Sequence, residues 1–360
     1  MPLIQDEYWC QDRKKREMDK VLEIGHFSAG FCGRLFARNG AEVVRVKQED
    51  PPAWASTQAM DVFLHSDKKM VHCKDKEQIK RLASKADYLV LEATSADFAL
   101  EWGIDDWDVP IKSTITPFGM TGPKRNWRAT PNVLLAMGGY TNCTGDPERA
   151  PLSLPGHYVE FQAGQFAYIA MNAARHGKQH VDIDISMLEC VMALSQFTTV
   201  QWSCADHVRS RHGNDFWWVV PTNMFRCADG WVFMNITPNF WDACVAFLQR
   251  PELIIDARFE SNSLRMSNRN ALHEIIDEAV RSVSKTELRS RATECRIPLG
   301  VVMTFEEVLQ DPHLLERNFW QTPLDHDDLL IPDLPFRFDG EKRNAPRVSS
   351  IVDVEEVWRG

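Results

Sequence analysis

Long apolar runs are missing from this chain. The most apolar stretch, around Ile185 to Val200, is broken by Ser186, Glu189, Ser195 and Gln196, too often for a bilayer-spanning helix. An apolar leader is missing too: the opening MPLIQDEYWCQDRKKREMDK is highly charged, so no secretory signal is expected. There is no basic excess. Lys and Arg number 41 against 51 Asp and Glu, a formal net charge of −10, which argues against a nucleic-acid partner. Nine cysteines are scattered without a CxxC pair, so reduced thiols and a cytoplasmic setting are expected. No GxSxG elbow is present, which disfavours a serine hydrolase. His207 and His212, near Asp206 and Asp215, lack zinc-type spacing, and no metal is expected. Internal repeats and low-complexity tracts are absent.

What is present reads as a well-buried enzyme-sized protein. The 360 residues are 44% hydrophobic, and the length predicts two domains. Val21 to Ile24 reads as a strand, Gly25, Gly30 and Gly33 as a loop and helix start, and Asn39-Gly40 as the helix stop. Ala41 to Val46 returns to a strand, completing a strand–helix–strand unit and implying a parallel sheet. A second cycle follows: a charged helix over 76–85, a strand over 86–91, a strand over 112–116 and the turn-rich PFGMTGP (117–123). The first 125 residues therefore read as doubly wound α/β. A helix is expected around Val133 to Gly138, and another in HYVEFQAGQFAYIAMNAARHGK, stopped by Gly177. HVDIDIS follows as a strand, and Met187 to Gln201 as one helix. Residues 203–218 read as a linker, and MFRCADGWVFMNI as a hairpin turning at Asp229-Gly230. Helices dominate from Asn239 to Leu309, one of them capped by Ser284. The tail after Gln321 is rich in Pro and Asp and is expected to cross the surface.

Several residues offer chemistry. Glycines after a strand let a ligand approach the backbone, and a helix start favours phosphate. The spacing here is GxxxxGxxG, however, and the next strand carries Arg45 and Lys47 where a dinucleotide site needs an acid. That disfavours NAD and leaves another ligand or a purely structural turn. Arg45, Lys47, Lys68, Lys69, Lys124 and Arg125 are candidate phosphate charges or solvated surface. Glu160 stands in an apolar, small-residue run at a helix start. There it is either a reactive, partly desolvated carboxylate or a charge on the helix dipole. His26, just after the first strand, is a ligand-facing or a structural histidine. Trp217, Trp218 and Trp241 are candidates for a pocket wall or for core packing.

Taken in order, several segments resemble the family III CoA-transferases, the CaiB/BaiF group. VLEIGHFSAGFCGRLFARNGAEVVRVK resembles the family opening VLDL…AGP…LADLGAEVIKVE, and FLHSDKKMV resembles LNRGKRSV with Lys68 at the lysine. ADYLVLEATSADFALEWGID is similar to ADVLIENFRPGVLERLGL, and ITPFGMTGP to ISGFGQTGP. LLAMGGYTNCTGDPERAP, GKQHVDIDISMLE and FRCADGWVFMNI continue the likeness, which covers roughly residues 20–320.

The resemblance implies a Rossmann-like large domain with a smaller α+β domain inserted, in an interlocked, ring-like homodimer. Domain limits are expected at 1–200 (large, CoA-binding), 201–222 (linker), 223–320 (small) and 321–360 (a segment returning to the large domain). It implies coenzyme A or acyl-CoA as substrate and a small carboxylic acid as co-substrate, with no nucleic acid, membrane or metal. CoA is expected near His26, Ser28, Ala29, Arg45, Lys68, Gly138, Gly139 and Tyr140. The family's nucleophile is an aspartate four residues before the glycine of an Ala-Gly pair; here the pair is Ala163-Gly164 and the position is Glu160. With one more methylene, the carboxylate is displaced, and a shift of about 1 Å costs on the order of a hundredfold unless the pocket compensates. A second departure is the hairpin turn Ala228-Asp229-Gly230-Trp231, which lacks the glycine-rich loop that closes over intermediates in many members.

Three activities follow from the resemblance. The first is CoA transfer through a Glu160-bound intermediate, with His26 assisting at the oxyanion. The second is racemase, isomerase or lyase chemistry with Glu160 as general base. Against classical racemisation, Thr130 stands where the racemases place a histidine. The third is a non-catalytic partner in a heteromeric transferase.

Overall fold

The computed structural model describes residues 18–47, 57–177, 180–216, 218–326 and 328–358. The chain divides into two compact units. The first comprises residues 1–140, 154–206 and 313–360, the second residues 141–153 and 207–312.

In the first unit strand and helix alternate: β1 (Lys20–Ile24), α1 (Phe27–Arg38), β2 (Glu42–Lys47), α2 (Gln58–His65), β3 (Lys68–His72), α3 (Lys76–Ala83), β4 (Tyr88–Glu92), α4 (Ala96–Leu100), β5 (Ile111–Thr116), α5 (Pro131–Met137), α6 (Tyr158–Ala174), β6 (Val181–Ser186), α7 (Met187–Ala193) and α8 (Gln196–Ala205). The second unit carries β7 (Thr222–Cys227), β8 (Gly230–Asn235), α9 (Trp241–Leu248), α10 (Asn262–Ser267), α11 (Arg269–Val280), α12 (Lys285–Cys295) and β9 (Leu299–Val301). Residues 313–360 of the first unit add β10 (Trp320–Gln321), β11 (Ile331–Pro332) and β12 (Ser350–Ile351).

Among the described residues, seven strands form one parallel sheet in the order β12-β3-β2-β1-β4-β5-β6. Setting β12 aside, this is the 3-2-1-4-5-6 order of doubly wound sheets. Both faces are covered, which is why the strands read as near-continuous apolar runs. Along β1 and β4 alternate residues go to opposite layers. Val21, Tyr88 and Val90 pack with α1 and α6, whereas Leu22, Ile24, Leu89 and Leu91 pack with α3 and the buried Val357. The tail thus contributes an edge strand and a core residue to the first unit, more than a surface crossing.

The second unit is a three-stranded antiparallel sheet, β7-β8-β9, with its own apolar core against α9, α11 and α12. The expected hairpin forms, but Cys227 pairs with Gly230 across Ala228 and Asp229, so the turn lies one residue earlier than Asp229-Gly230 and Gly230 opens the returning strand. Ser284 caps α12 by accepting the Glu287 N–H at 3.2 Å.

Three local expectations are corrected. Gly30 and Gly33 lie inside α1, where small residues allow close approach to His65 and Glu23. Met187 to Gln201 is two helices rather than one, because the Ser195 hydroxyl bonds back to the Met192 carbonyl at 2.8 Å. The stretch read as a linker begins inside α8. The segment 58–72, which carries no turn or periodicity signal strong enough to read, folds as α2 and β3.

Candidate active site

Open α/β sheets bind ligands at the carboxyl ends of their strands, where the strand order reverses. Here that point lies between β1 and β4. A cleft of about 570 Å³ opens there, lined by Gly25, His26 and Phe27 after β1 and by Glu92, Ala93 and Thr94 at the end of β4. Arg45, Lys47, Lys74 and Arg128 bring positive charge to its walls, and Phe98 and Trp102 bring aromatic surface. Glu160 faces the same cleft.

The loop between β1 and α1 is shaped around one carboxylate. Glu92 Oε2 accepts backbone N–H groups from His26 (3.0 Å), Ser28 (2.9 Å) and Ala29 (3.0 Å). These are the donors at the helix start, so this chain fills with its own side chain the place where such a loop binds phosphate. Gly25 is needed for the fit: its φ is +144°, and a Cβ there would lie 2.6 Å from Glu92 Cβ. Burial pushes the Glu92 carboxyl above the usual carboxylate range. The backbone N–H groups of Ala29 and His26 and the His26 charge oppose that shift, and the neighbouring Glu160 charge adds to it.

Glu160 lies in the first turn of α6 and is 7% exposed. His157, the residue before the helix, places Nδ1 3.2 Å from Glu160 Oε1. Glu160 Oε2 is buried and has no hydrogen-bond partner among the described residues. The imidazole stacks on Phe27 with centroids 4.1 Å apart, and Phe161 lies 5.8 Å away on the same helix. Phe161 stacks in turn on Phe31 at 4.7 Å. The helices α1 and α6 can approach closely because of Gly164, whose missing Cβ would fall 2.4 Å from the Ser28 carbonyl oxygen.

The structure brings together some of the residues expected from the sequence. Glu160, His26 and Arg45 share the cleft. Ser28 and Ala29 are fully buried beneath it, with Ala29 contributing its N–H to Glu92. Lys68 is fully buried away from the cleft lining: its Nζ donates to Glu23 Oε2 at 2.5 Å and to the Gly30 carbonyl at 2.8 Å. The physical reason is Glu23, a carboxylate in the middle of β1 that needs a cation in the core; Arg45 Nε, 3.8 Å from Glu23 Oε1, is a second. Gly138, Gly139 and Tyr140 also lie outside the lining. Gly138 ends α5 and packs against Val191, and Tyr140 packs on the core. Trp217 falls outside the described residues.

Sequence reasoning missed His157, Glu92, Lys74 and Arg128. His157 had a signal, a histidine three residues before Glu160 at a helix start. Glu92 had none, since its partners are backbone amides 63 to 66 residues away.

Comparison with known proteins fits this geometry. The family model described as CoA-transferase family III matches residues 19–349. The chain is 29% identical over 336 residues to succinyl-CoA–D-citramalate CoA-transferase of Chloroflexus aurantiacus, covering 85% of this chain and 83% of that one. It is 24% identical over 328 residues to the succinyl-CoA–L-malate CoA-transferase alpha subunit of the same organism, covering 83% and 76%. A CaiB/BaiF family protein from Brucella suis shares the fold, with a TM-score of 0.82 at 21% identity over 94% of this chain and 96% of that one. The match runs from the residue before β1 to the residue before β12, nearly the whole described chain, and the protein belongs to CoA-transferase family III.

Proposed function

We propose that the protein moves CoA from an acyl-CoA to a carboxylic acid through an intermediate carried on Glu160. The observation that carries this reading is the state of that carboxylate. It lies buried on the cleft wall, with one oxygen engaged by His157 and the other without a partner among the described residues. Little hydration has to be removed from such an oxygen before it attacks.

The reaction balances without net proton transfer. Glu160 attacks the thioester carbonyl carbon, the C–S bond breaks, and CoA leaves as thiolate, giving a mixed anhydride. The thiolate then attacks the Glu160 carbonyl carbon and expels the donor acid, leaving a Glu160–CoA thioester. An acceptor carboxylate displaces the thiolate to form a second anhydride. Return of the thiolate to the acceptor's acyl carbon releases the new acyl-CoA and restores Glu160. Arg45, Lys47, Lys74 and Arg128 supply the charge that the phosphates of CoA require. The donor acid is small and anionic by analogy with the relatives named for succinyl-CoA. The interlocked dimer, in a reducing cytoplasm, completes the proposal.

The test is intact-mass spectrometry of the protein mixed with succinyl-CoA. A hydroxylamine-sensitive CoA adduct on Glu160, absent in Glu160→Gln, with CoA passing to an added acid, is the expected result. Absence of an adduct together with solvent deuterium at the acyl α-carbon would replace transfer by proton abstraction. Absence of both, with CoA esters still bound, would leave a partner-subunit role.

A further inference from the structure

We infer that the His157 side-chain N–H is the oxyanion donor for the Glu160 carbonyl, and that it fixes which oxygen of Glu160 attacks. This rests on Glu160 being the covalent carrier. Ionised carboxylates only accept hydrogen bonds, so the proton between Nδ1 and Oε1 belongs to His157. That leaves Oε2, which takes no hydrogen bond from the described residues, as the attacking atom; it is shielded in the resting protein and attacks once the carboxylate turns it toward the cleft.

Attack through Oε2 makes Oε1 the carbonyl oxygen of the Glu160 anhydride. When CoA thiolate adds to that carbonyl carbon, electrons move onto Oε1. They return as the bond to Oε2 breaks and the donor acid departs. The same oxygen takes the charge again when the acceptor acid adds to the thioester. The donor that the described residues place on it is His157, at 3.2 Å in the resting protein, a length that shortens as charge develops.

Two further features make His157 specific to this role. A glutamate at the third helical position can fold back to the backbone N–H before the helix. Glu307, the third residue of the short helix Phe305–Leu309, does so, accepting the Thr304 N–H at 2.7 Å. Glu160 turns instead to the imidazole, so the extra methylene relative to aspartate is taken up by the bend toward His157. The imidazole itself is held in place, stacked on Phe27 on one side and near Phe161. A donor held by packing does not have to reorganise when charge appears.

Two substitutions separate the donor from the ring. His157→Asn places an amide nitrogen near the position of Nδ1 and gives up the stacking. His157→Phe keeps an aromatic ring on Phe27 and gives up the N–H. Single-turnover formation of the Glu160–CoA thioester from succinyl-CoA is followed by intact mass, with CoA affinity and melting temperature measured alongside. The expected result is a loss of about 100- to 1,000-fold in the adduct rate for His157→Phe, with CoA affinity unchanged, and recovery of most of that loss in His157→Asn. His157→Leu replaces the phenylalanine variant if that one does not fold. Equal rates in native and His157→Phe protein would overturn the inference, as would an asparagine variant as slow as the phenylalanine one. A native protein that forms no adduct would instead overturn the covalent role of Glu160, and this inference with it.

Discussion

Replacing Gly164 by alanine tests whether the contact between α1 and α6 sets both stability and chemistry. The added Cβ would lie 2.4 Å from the Ser28 carbonyl oxygen, 3.1 Å from Cys32 N and 3.2 Å from Phe31 Cβ. Ordinary contact begins near 3.4 Å, so the helices must separate by about 1 Å. The nearest atom is helix backbone and cannot rotate aside. Overpacking of this kind costs about 1–3 kcal/mol. At about 2–4 °C per kcal/mol, the melting temperature should fall by roughly 2–12 °C. The same movement separates Glu160, one turn before Gly164, from Phe27 at the start of α1, on which the His157 ring is stacked. A 1 Å misplacement costs on the order of a hundredfold in rate. Thermal unfolding and single-turnover labelling with succinyl-CoA measure the two effects. Gly300→Ala in β9 is the control, because no atom of the described residues lies within 4 Å of where its Cβ would stand, and it should change stability by no more than about 0.5 kcal/mol. A Gly164→Ala protein that melts and labels like the native one would refute the reasoning.

Two predictions concern buried charge. Glu92→Ala strands three N–H donors at the start of α1 and should cost at least about 2 kcal/mol in urea unfolding, with Glu92→Gln retaining part of the native stability. Lys68→Met leaves Glu23 buried without its closest cation and should cost about 3–5 kcal/mol at neutral pH. Burial pushes the Lys68 ammonium down to about 8 against the opposing pull of Glu23. The unfolded chain therefore binds the extra proton between about pH 8 and 10.5, so the stability of the native protein relative to Lys68→Met should rise with pH across that window. A flat or falling difference would place the pair outside the core.

The sequence carried the local half of this protein. Strands of the first unit are legible because a sheet covered on both faces demands unbroken apolar runs such as Tyr88 to Leu91. The hairpin around Asp229 and the cap at Ser284 are legible because turn and cap chemistry depends on neighbours only, although the turn sits one residue earlier than the Asp-Gly pair. The order of motifs also pointed to the family, and the position before Ala163-Gly164 pointed to Glu160. What stayed hidden depends on residues far apart in the chain. Lys68 looked like a surface cation for phosphate, and only the sheet register, which sets Glu23 opposite Arg45 and brings Lys68 beneath α1, turns it into a core counter-ion. Glu92 looked like the end of a strand, and only the crossover from β1 to α1 aims three amides at it. His157 stood in plain view three residues before Glu160. That its nitrogen meets the carboxylate was decided by Phe27 from another helix, since local sequence offers a side chain several rotamers and tertiary packing leaves one.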